Sequence, residues 1–208
     1  MQIFFKENLA FLAVPKTGTT AWEMALKRRA DIVFSGRRKH ANAAFFHRKL
    51  APFLEDAYGL TPERMAVIRD PLDQARSWYR YRQRDALEGS KYSTRGVNFD
   101  AFARATIQPD PPPFANVGSQ GAFLTLKTSR EMPLHHLFAY EAQDVLRGFL
   151  EERFGRQIKP RTYNVSPRIE AELSPETEAA FRKARALDYE LHARVIAAGG
   201  HLQQLLET

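Results

Sequence analysis

The stretch Pro15-Lys-Thr-Gly-Thr-Thr20 puts one cation, three hydroxyls and a glycine directly after the apolar run Phe11-Leu-Ala-Val14. Gly18 lets the backbone approach a ligand closely. A helix starting at the threonines would aim its free N–H groups and its positive dipole end at an anion, an effect of about 0.3–1 kcal/mol. Lys16 adds a full charge, and Thr17, Thr19 and Thr20 add hydroxyls. The lysine precedes the glycine, whereas the nucleotide-hydrolase loop places it after the second of two glycines, so an ordinary ATPase or kinase is disfavoured. A second stretch, Val67-Ile-Arg-Asp-Pro71, also follows an apolar run, and Ser77 lies eight residues beyond Arg69. An arginine leaving a strand and a serine on the next helix would converge on one phosphate, the first as a planar fork and the second as a neutral donor.

Six histidines compete as a proton acceptor near neutral pH. His40 sits in Arg37-Arg-Lys-His-Ala-Asn42, where Arg37, Arg38 and Lys39 would hold an anionic group. His47 reads as helix surface. His135 and His136 are adjacent, so on a strand they point to opposite faces and cannot share a metal ion; no other metal cluster is expected. Glu23 and Glu141 are alternative bases, although Glu141 is better read as a helix-start residue.

These groups need elements to hold them. Phe11-Leu-Ala-Val14, Asp31-Ile-Val-Phe34, Met65-Ala-Val-Ile68 and Leu137-Phe-Ala-Tyr140 are short apolar runs suited to strands covered on both faces. Helices are expected from Thr20, over 47–58 with Gly59 as its stop and Pro52 as a kink or later start, from Pro71, over 100–106, over 141–154 closed by Gly155, and over 175–198 ended by Gly199-Gly200. Gln108-Pro-Asp-Pro-Pro-Pro113 is a loop. Strands alternating with helices argue for an α/β fold with a central, mainly parallel sheet, in which ligands gather at the carboxyl ends of the strands. Both candidate loops lie at such ends.

Composition bounds the rest. The 208 residues suit one domain, 1–208, and 44% hydrophobic with 26% charged residues is ordinary for a globular chain. With no cysteine, disulfides, thiolate metal sites and cysteine nucleophiles are excluded, which suits a reducing cytoplasm. No apolar run reaches the roughly 20 residues of a membrane span, and the N-terminus lacks the pattern of a signal peptide, so a cytoplasmic protein is expected. The net charge is +7, and residues 27–49 hold eight Lys and Arg against one acid, Asp31. A second basic group, Arg76, Arg80, Arg82 and Arg84, follows the second loop. Clustered cations imply an anionic ligand.

The pair of loops, Pro-Lys-Thr-Gly-Thr-Thr and Arg-Asp-Pro-x5-Ser, resembles the sulfotransferase superfamily that uses 3′-phosphoadenosine 5′-phosphosulfate (PAPS), and is closest to its bacterial and carbohydrate-acting branch. Tyr140-Glu141 before a helix ending in Phe149-Leu-Glu-Glu-Arg-Phe-Gly155, and Asn164-Val-Ser166 followed by Asp188-Tyr189-Glu190-Leu191, are similar to later parts of that family. The resemblance implies a three-layer, P-loop-NTPase-like fold. It implies that Lys16, Thr17, Gly18, Thr19 and Thr20 bind the 5′-phosphosulfate, that Arg69 and Ser77 bind the 3′-phosphate, and that 3′-phosphoadenosine 5′-phosphate (PAP) is the product. Lys16 would stabilise the leaving oxygen and His40, placed as the family's base is, would take the proton of an acceptor hydroxyl. The expected acceptor is a glycan, held by Arg37, Arg38, Lys39 and Arg80. The chain departs from the cytosolic small-molecule branch: Ala21 displaces Trp22 from the position after Thr-Thr, so Trp22 reads as core, and no late Arg-Lys-Gly occurs. Alternatives are a nucleotide kinase with an atypical loop and a non-enzymatic polyanion-binding module. Nucleic acid is not the expected partner, because Phe45 and Phe46 read as core and leave no aromatics for base stacking.

Overall fold

The computed structural model describes residues 1–160 and 171–206. Short apolar runs supply the strands β1 (Gln2–Phe4), β2 (Leu9–Leu12), β3 (Ile32–Val33), β4 (Glu63–Ile68), β5 (His136–Ala139) and β6 (His201–Gln203). They form one sheet in the order β3-β1-β2-β4-β5-β6. Parallel pairing is confined to β2 with β4 and β4 with β5. β1 runs antiparallel to both β2 and β3, and β5 antiparallel to β6. The sheet is therefore mixed and parallel only at its centre. The expectation of a mainly parallel sheet missed β1 because four residues, 5–8, join it to β2, too few for a crossover and enough only for a hairpin. Asn8, in the left-handed region at φ 46°, closes that turn through its N–H to the Phe5 carbonyl at 3.1 Å.

Helices cover both faces, because the strand side chains alternate between two cores. On one face Leu9, Phe11, Met65, Val67 and Phe138 pack with Trp22 and Leu26 of α1 (Thr19–Leu26) and with Leu146, Leu150 and Phe154 of α7 (Gln143–Phe154). On the other, Ala10, Leu12, Ala66, Ile68, Leu137 and Ala139 pack with Phe46, with Leu54 of α3 (Ala51–Tyr58), with Leu124 of α6 (Gln120–Leu124) and with Leu191 and Val195 of α9 (Ala186–Ala197). A third cluster joins α4 (Pro71–Arg82), α5 (Phe99–Thr106) and α8 (Pro175–Ala184) around Tyr79, Phe99, Phe102 and Phe181. Each such large apolar side chain, fully buried, is worth about 1.5–3 kcal/mol. Trp22 is core, as expected, at 2% exposed.

Boundaries moved where tertiary contacts took over. β2 ends at Leu12, two residues before the apolar run does. The chain leaves the sheet there, which frees the Ala13 and Val14 carbonyls for side chains of the site. The helical stretch after Asn42 begins as α2 (Ala43–Phe45), widens into a π-helical turn over Phe46–Leu50 and continues as α3. That wide turn lies just before Pro52, which has no N–H to keep the α ladder. Gly59 and Gly155 stop their helices in the left-handed conformation, as expected. The expected single helix over 175–198 is instead α8 and α9, broken at Arg185. No glycine or proline marks the break. Arg185 donates to the Thr106 carbonyl on α5 at 3.0 Å, and α8 packs on α5 while α9 packs on β5. Residues Asn164-Val-Ser166 lie outside the described residues. No described helix is long and apolar enough to cross a membrane.

Candidate functional site

Three loops leave the carboxyl ends of the parallel strands β2, β4 and β5 and meet around a cleft of about 890 Å³. Register decides which residues touch. Ile68 pairs with Ala139, so Arg69 and Tyr140 emerge side by side, and the Arg69 guanidinium lies 4.3 Å from the Tyr140 ring centroid. Tyr140 also fills the space beside Gly18, where a Cβ would stand 2.8 Å from the ring. Gly18 itself lines the cleft, and the Tyr140 ring takes the side that a Cβ would occupy. Arg69 Nη1 donates to the Lys16 carbonyl at 3.4 Å, which joins the two loops directly.

Lys16 occupies the left-handed region at φ 66°, a conformation that costs a non-glycine residue roughly 1–2 kcal/mol. Its ammonium lies 4.4 Å from the Tyr81 ring centroid and 5.9 Å from that of Trp78, with no carboxylate partner among the described residues. Burial, with Arg84 and Arg69 nearby, lowers its pKa to about 8. Helix α1 starts at Gly18 with no side-chain cap, whereas Asp70, Asn98, Ser119 and Ser174 cap α4, α5, α6 and α8. The uncapped start of α1 lies at the cleft, which Lys16, Thr19 and Thr20 line. Thr17 is turned away: its hydroxyl donates to the Val14 carbonyl at 2.9 Å and shapes the loop. Arg69 and Ser77 line the same cleft. Asp70 caps α4 through the Asp73 N–H at 2.9 Å, and Pro71 takes the first helical position. The buried Arg69 Nε and Trp78 Nε1 have no hydrogen-bond partner among the described residues.

His40 stands on the rim and lines both this cleft and a second pocket of about 490 Å³. Its Nδ1 lies 2.7 Å from the Ala13 carbonyl. A carbonyl only accepts, so Nδ1 carries the proton and Nε2 keeps its lone pair, the state a base requires. Desolvation lowers the ring's pKa, with Lys39 adding to the effect and the Ala13 bond opposing it. Arg37 and Arg38 line the second pocket without carboxylate partners among the described residues, and Arg38 lies over Phe45 at 4.8 Å. Phe46 is core, as expected, but Phe45 is only partly buried and lines this pocket. Lys39 behaves differently: its amine is bound to Glu23 at 2.9 Å and to Thr20 at 3.1 Å, so it fixes Thr20. Arg80 lines neither cavity.

The remaining candidates take structural positions. Glu23 is occupied by Lys39. Glu141 accepts from the Asp70 N–H at 2.9 Å, and His47 is exposed beside Arg64. His135 accepts from the Arg64 N–H at 2.9 Å, while His136 bridges Glu63 and His201 near the sheet edge. Among the described residues no three His, Asp or Glu side chains are grouped to hold a metal ion. Sequence reasoning missed Tyr140, Trp78, Tyr81 and Arg147 as cleft residues, and placed Arg84 only loosely. Arg147 pairs with Asp144, and Arg84 leans on Tyr81 at 4.7 Å. The three-residue spacing of Trp78 and Tyr81 on α4, with Arg84 just past its end, was the available signal. Among the described residues the cleft lining includes Lys16, Lys39, Arg69, Arg84 and Arg147 and no carboxylate, which favours an anion. The chain matches no known family model and no curated protein.

Proposed function

We propose that this chain is a sulfotransferase that moves the sulfuryl group of PAPS to an acceptor hydroxyl, with a glycan as the acceptor class and PAP as the product. The observation that carries the reading is the junction of the two loops: Arg69, from the end of β4, bonds the carbonyl of Lys16, from the end of β2, inside one cation-lined cleft. The finer architecture that goes with it, a three-layer P-loop-like fold with residues 16–20 as the phosphate loop, belongs to the same proposal.

PAPS supplies a sulfuryl group on a phosphate leaving group. In this reading Lys16 and the open amides of α1 meet the negative charge that grows on the leaving oxygen. Arg69 and Ser77 hold the 3′-phosphate, the first as a fork and the second as a hydroxyl donor. Arg84 adds charge to the same wall. The acceptor enters by the second pocket, where Arg37 and Arg38 favour an acidic group and Phe45 offers a ring face. As the acceptor oxygen bonds to sulfur and the bond from sulfur to the bridging oxygen breaks, His40 Nε2 takes the hydroxyl proton. Lys39 orders Thr20 and is withdrawn from acceptor binding.

Thermal unfolding with added nucleotide tests this. PAP should raise the midpoint more than ATP or AMP at equal concentration, because a ligand of the folded state stabilises by RT ln(1 + [L]/Kd). Equal shifts with all three argue against the reading. Magnesium-dependent ATP turnover would identify a kinase, and steeply salt-dependent polyanion binding without a PAP response would identify a binding module.

A further inference from the structure

The turn that carries Arg69 is held by Gln120 of α6 and by Glu141, and α9 backs both. On α9, Asp188 and His192 stand four residues apart, one turn of helix. Asp188 is 3% exposed and accepts the N–H groups of Gln120 at 3.1 Å and Gly121 at 2.8 Å. Gln120, fully buried, spends its side chain on the backbone of Arg69: Oε1 accepts the Arg69 N–H at 2.9 Å and Nε2 donates to the Arg69 carbonyl at 2.7 Å. One turn along, His192 Nε2 lies 3.1 Å from Glu141 Oε2, and Glu141 Oε1 accepts the Asp70 N–H at 2.9 Å. The Ile68 carbonyl accepts from the Tyr140 N–H at 2.7 Å. Every backbone polar group from the Ile68 carbonyl to the Asp70 N–H is thereby paired, and the conformation that launches the Arg69 side chain is over-determined.

None of Gln120, Glu141, Asp188 and His192 lines the cleft. A buried carboxylate is costly unless well bonded, and Asp188 is placed against a five-residue helix whose one inward glutamine reads only Arg69. Gly121 permits that approach, since a Cβ there would lie 2.8 Å from Asp188 Oδ1. We infer that Gln120 and Glu141, seated by Asp188 and His192 of α9, are positioning residues for Arg69, and that this clamp sets selectivity for a nucleotide bearing a 3′-phosphate. The selectivity role rests on the assignment of Arg69 under the proposed function.

The experiment compares the intact chain with Gln120→Met, Glu141→Leu and Glu141→Gln, all checked for wild-type-like folding by thermal unfolding. Calorimetry gives the ratio of the Kd for AMP to that for PAP, and amide exchange reads Arg69 and Asp70 without ligand. Gln120→Met strands two backbone groups, and Glu141→Leu strands one, so the ratio should fall about tenfold in each, through the PAP affinity alone. Exchange at Arg69 or Asp70 should accelerate in the same variants. Glu141→Gln keeps an acceptor for the Asp70 N–H and should retain the wild-type ratio. Folded variants with an unchanged ratio and unchanged exchange overturn the inference. A wild-type chain that binds PAP and AMP equally overturns the donor reading and the selectivity role with it, while the exchange rates still decide whether the clamp holds the turn.

Discussion

The Arg69 guanidinium rests on the face of Tyr140, 4.3 Å from its centroid, and the same ring abuts Gly18 at the start of α1. Residues from the ends of three strands thus meet in one stack. A loop glycine, a strand-end arginine and a strand-end tyrosine are made interdependent by the register of β4 and β5.

Gly18→Ala is expected to cost about 1–2 kcal/mol from its left-handed backbone alone, at φ 72°, and to push the Tyr140 ring aside. Urea unfolding reads the stability and calorimetry the PAP affinity. In a double-mutant cycle with Tyr140→Ala, the steric part should vanish and leave the backbone part; full additivity would show that the ring and the glycine do not interact.

Lys16 combines a strained backbone with the charge that the proposed function assigns to the leaving oxygen, and two variants separate them. Lys16→Gly and Lys16→Ala both remove the charge and should both abolish sulfuryl transfer, yet Lys16→Gly should be the more stable by about 1 kcal/mol, because only glycine adopts φ 66° freely. An alanine variant as stable as the glycine variant would show that the loop relaxes.

The same lysine predicts a pH effect on binding. Its pKa is lowered to about 8, so in the free protein it loses charge as pH rises through that value. An anion favours the protonated form, and PAP affinity should therefore be flat below about pH 8 on this group's account and fall above it. Lys16→Arg should remove the dependence, since arginine keeps its charge. A flat profile in the wild type would place Lys16 away from the ligand.

His40→Ala should abolish transfer while PAP still stabilises the fold; retained turnover would move the base elsewhere. The histidine's pKa is held below the usual 6.5, so its neutral form persists into mildly acidic solution and the acid limb of activity should lie below that value. Stability has the corresponding sign: with the folded pKa depressed, protonation favours the unfolded chain, and stability from this group declines as pH falls below 6.5.

His192 should act oppositely. Its hydrogen bond to Glu141 raises its pKa, so its contribution to stability is fully present below about 6.5 and is lost as pH rises through the folded value. The difference in unfolding free energy between wild type and His192→Gln should shrink as pH rises. A difference that is constant from pH 5 to 8, a range chosen to bracket the histidine pKa, would show that the bond does not need the charge.

Elements with local causes could be read from the chain alone. Apolar runs ended by Pro15 and Arg69 announced the two central strands, Pro71 and Asp70 announced α4, and Gly59 and Gly155 marked helix ends. The lysine–threonine loop and the arginine–serine pair were legible as candidates for anion binding because residue type and spacing suffice to propose it. Tertiary structure decided what depends on contacts between distant segments. Register put Tyr140 beside Arg69, and nothing in the run Leu137-Phe-Ala-Tyr140 says which neighbour it will face. Lys39 was spent on Glu23 and Thr17 on Val14, which only packing reveals. The hairpin of β1, the break at Arg185 and the Gln120 clamp arise from loop length and long-range hydrogen bonds, which leave no periodic trace in the chain.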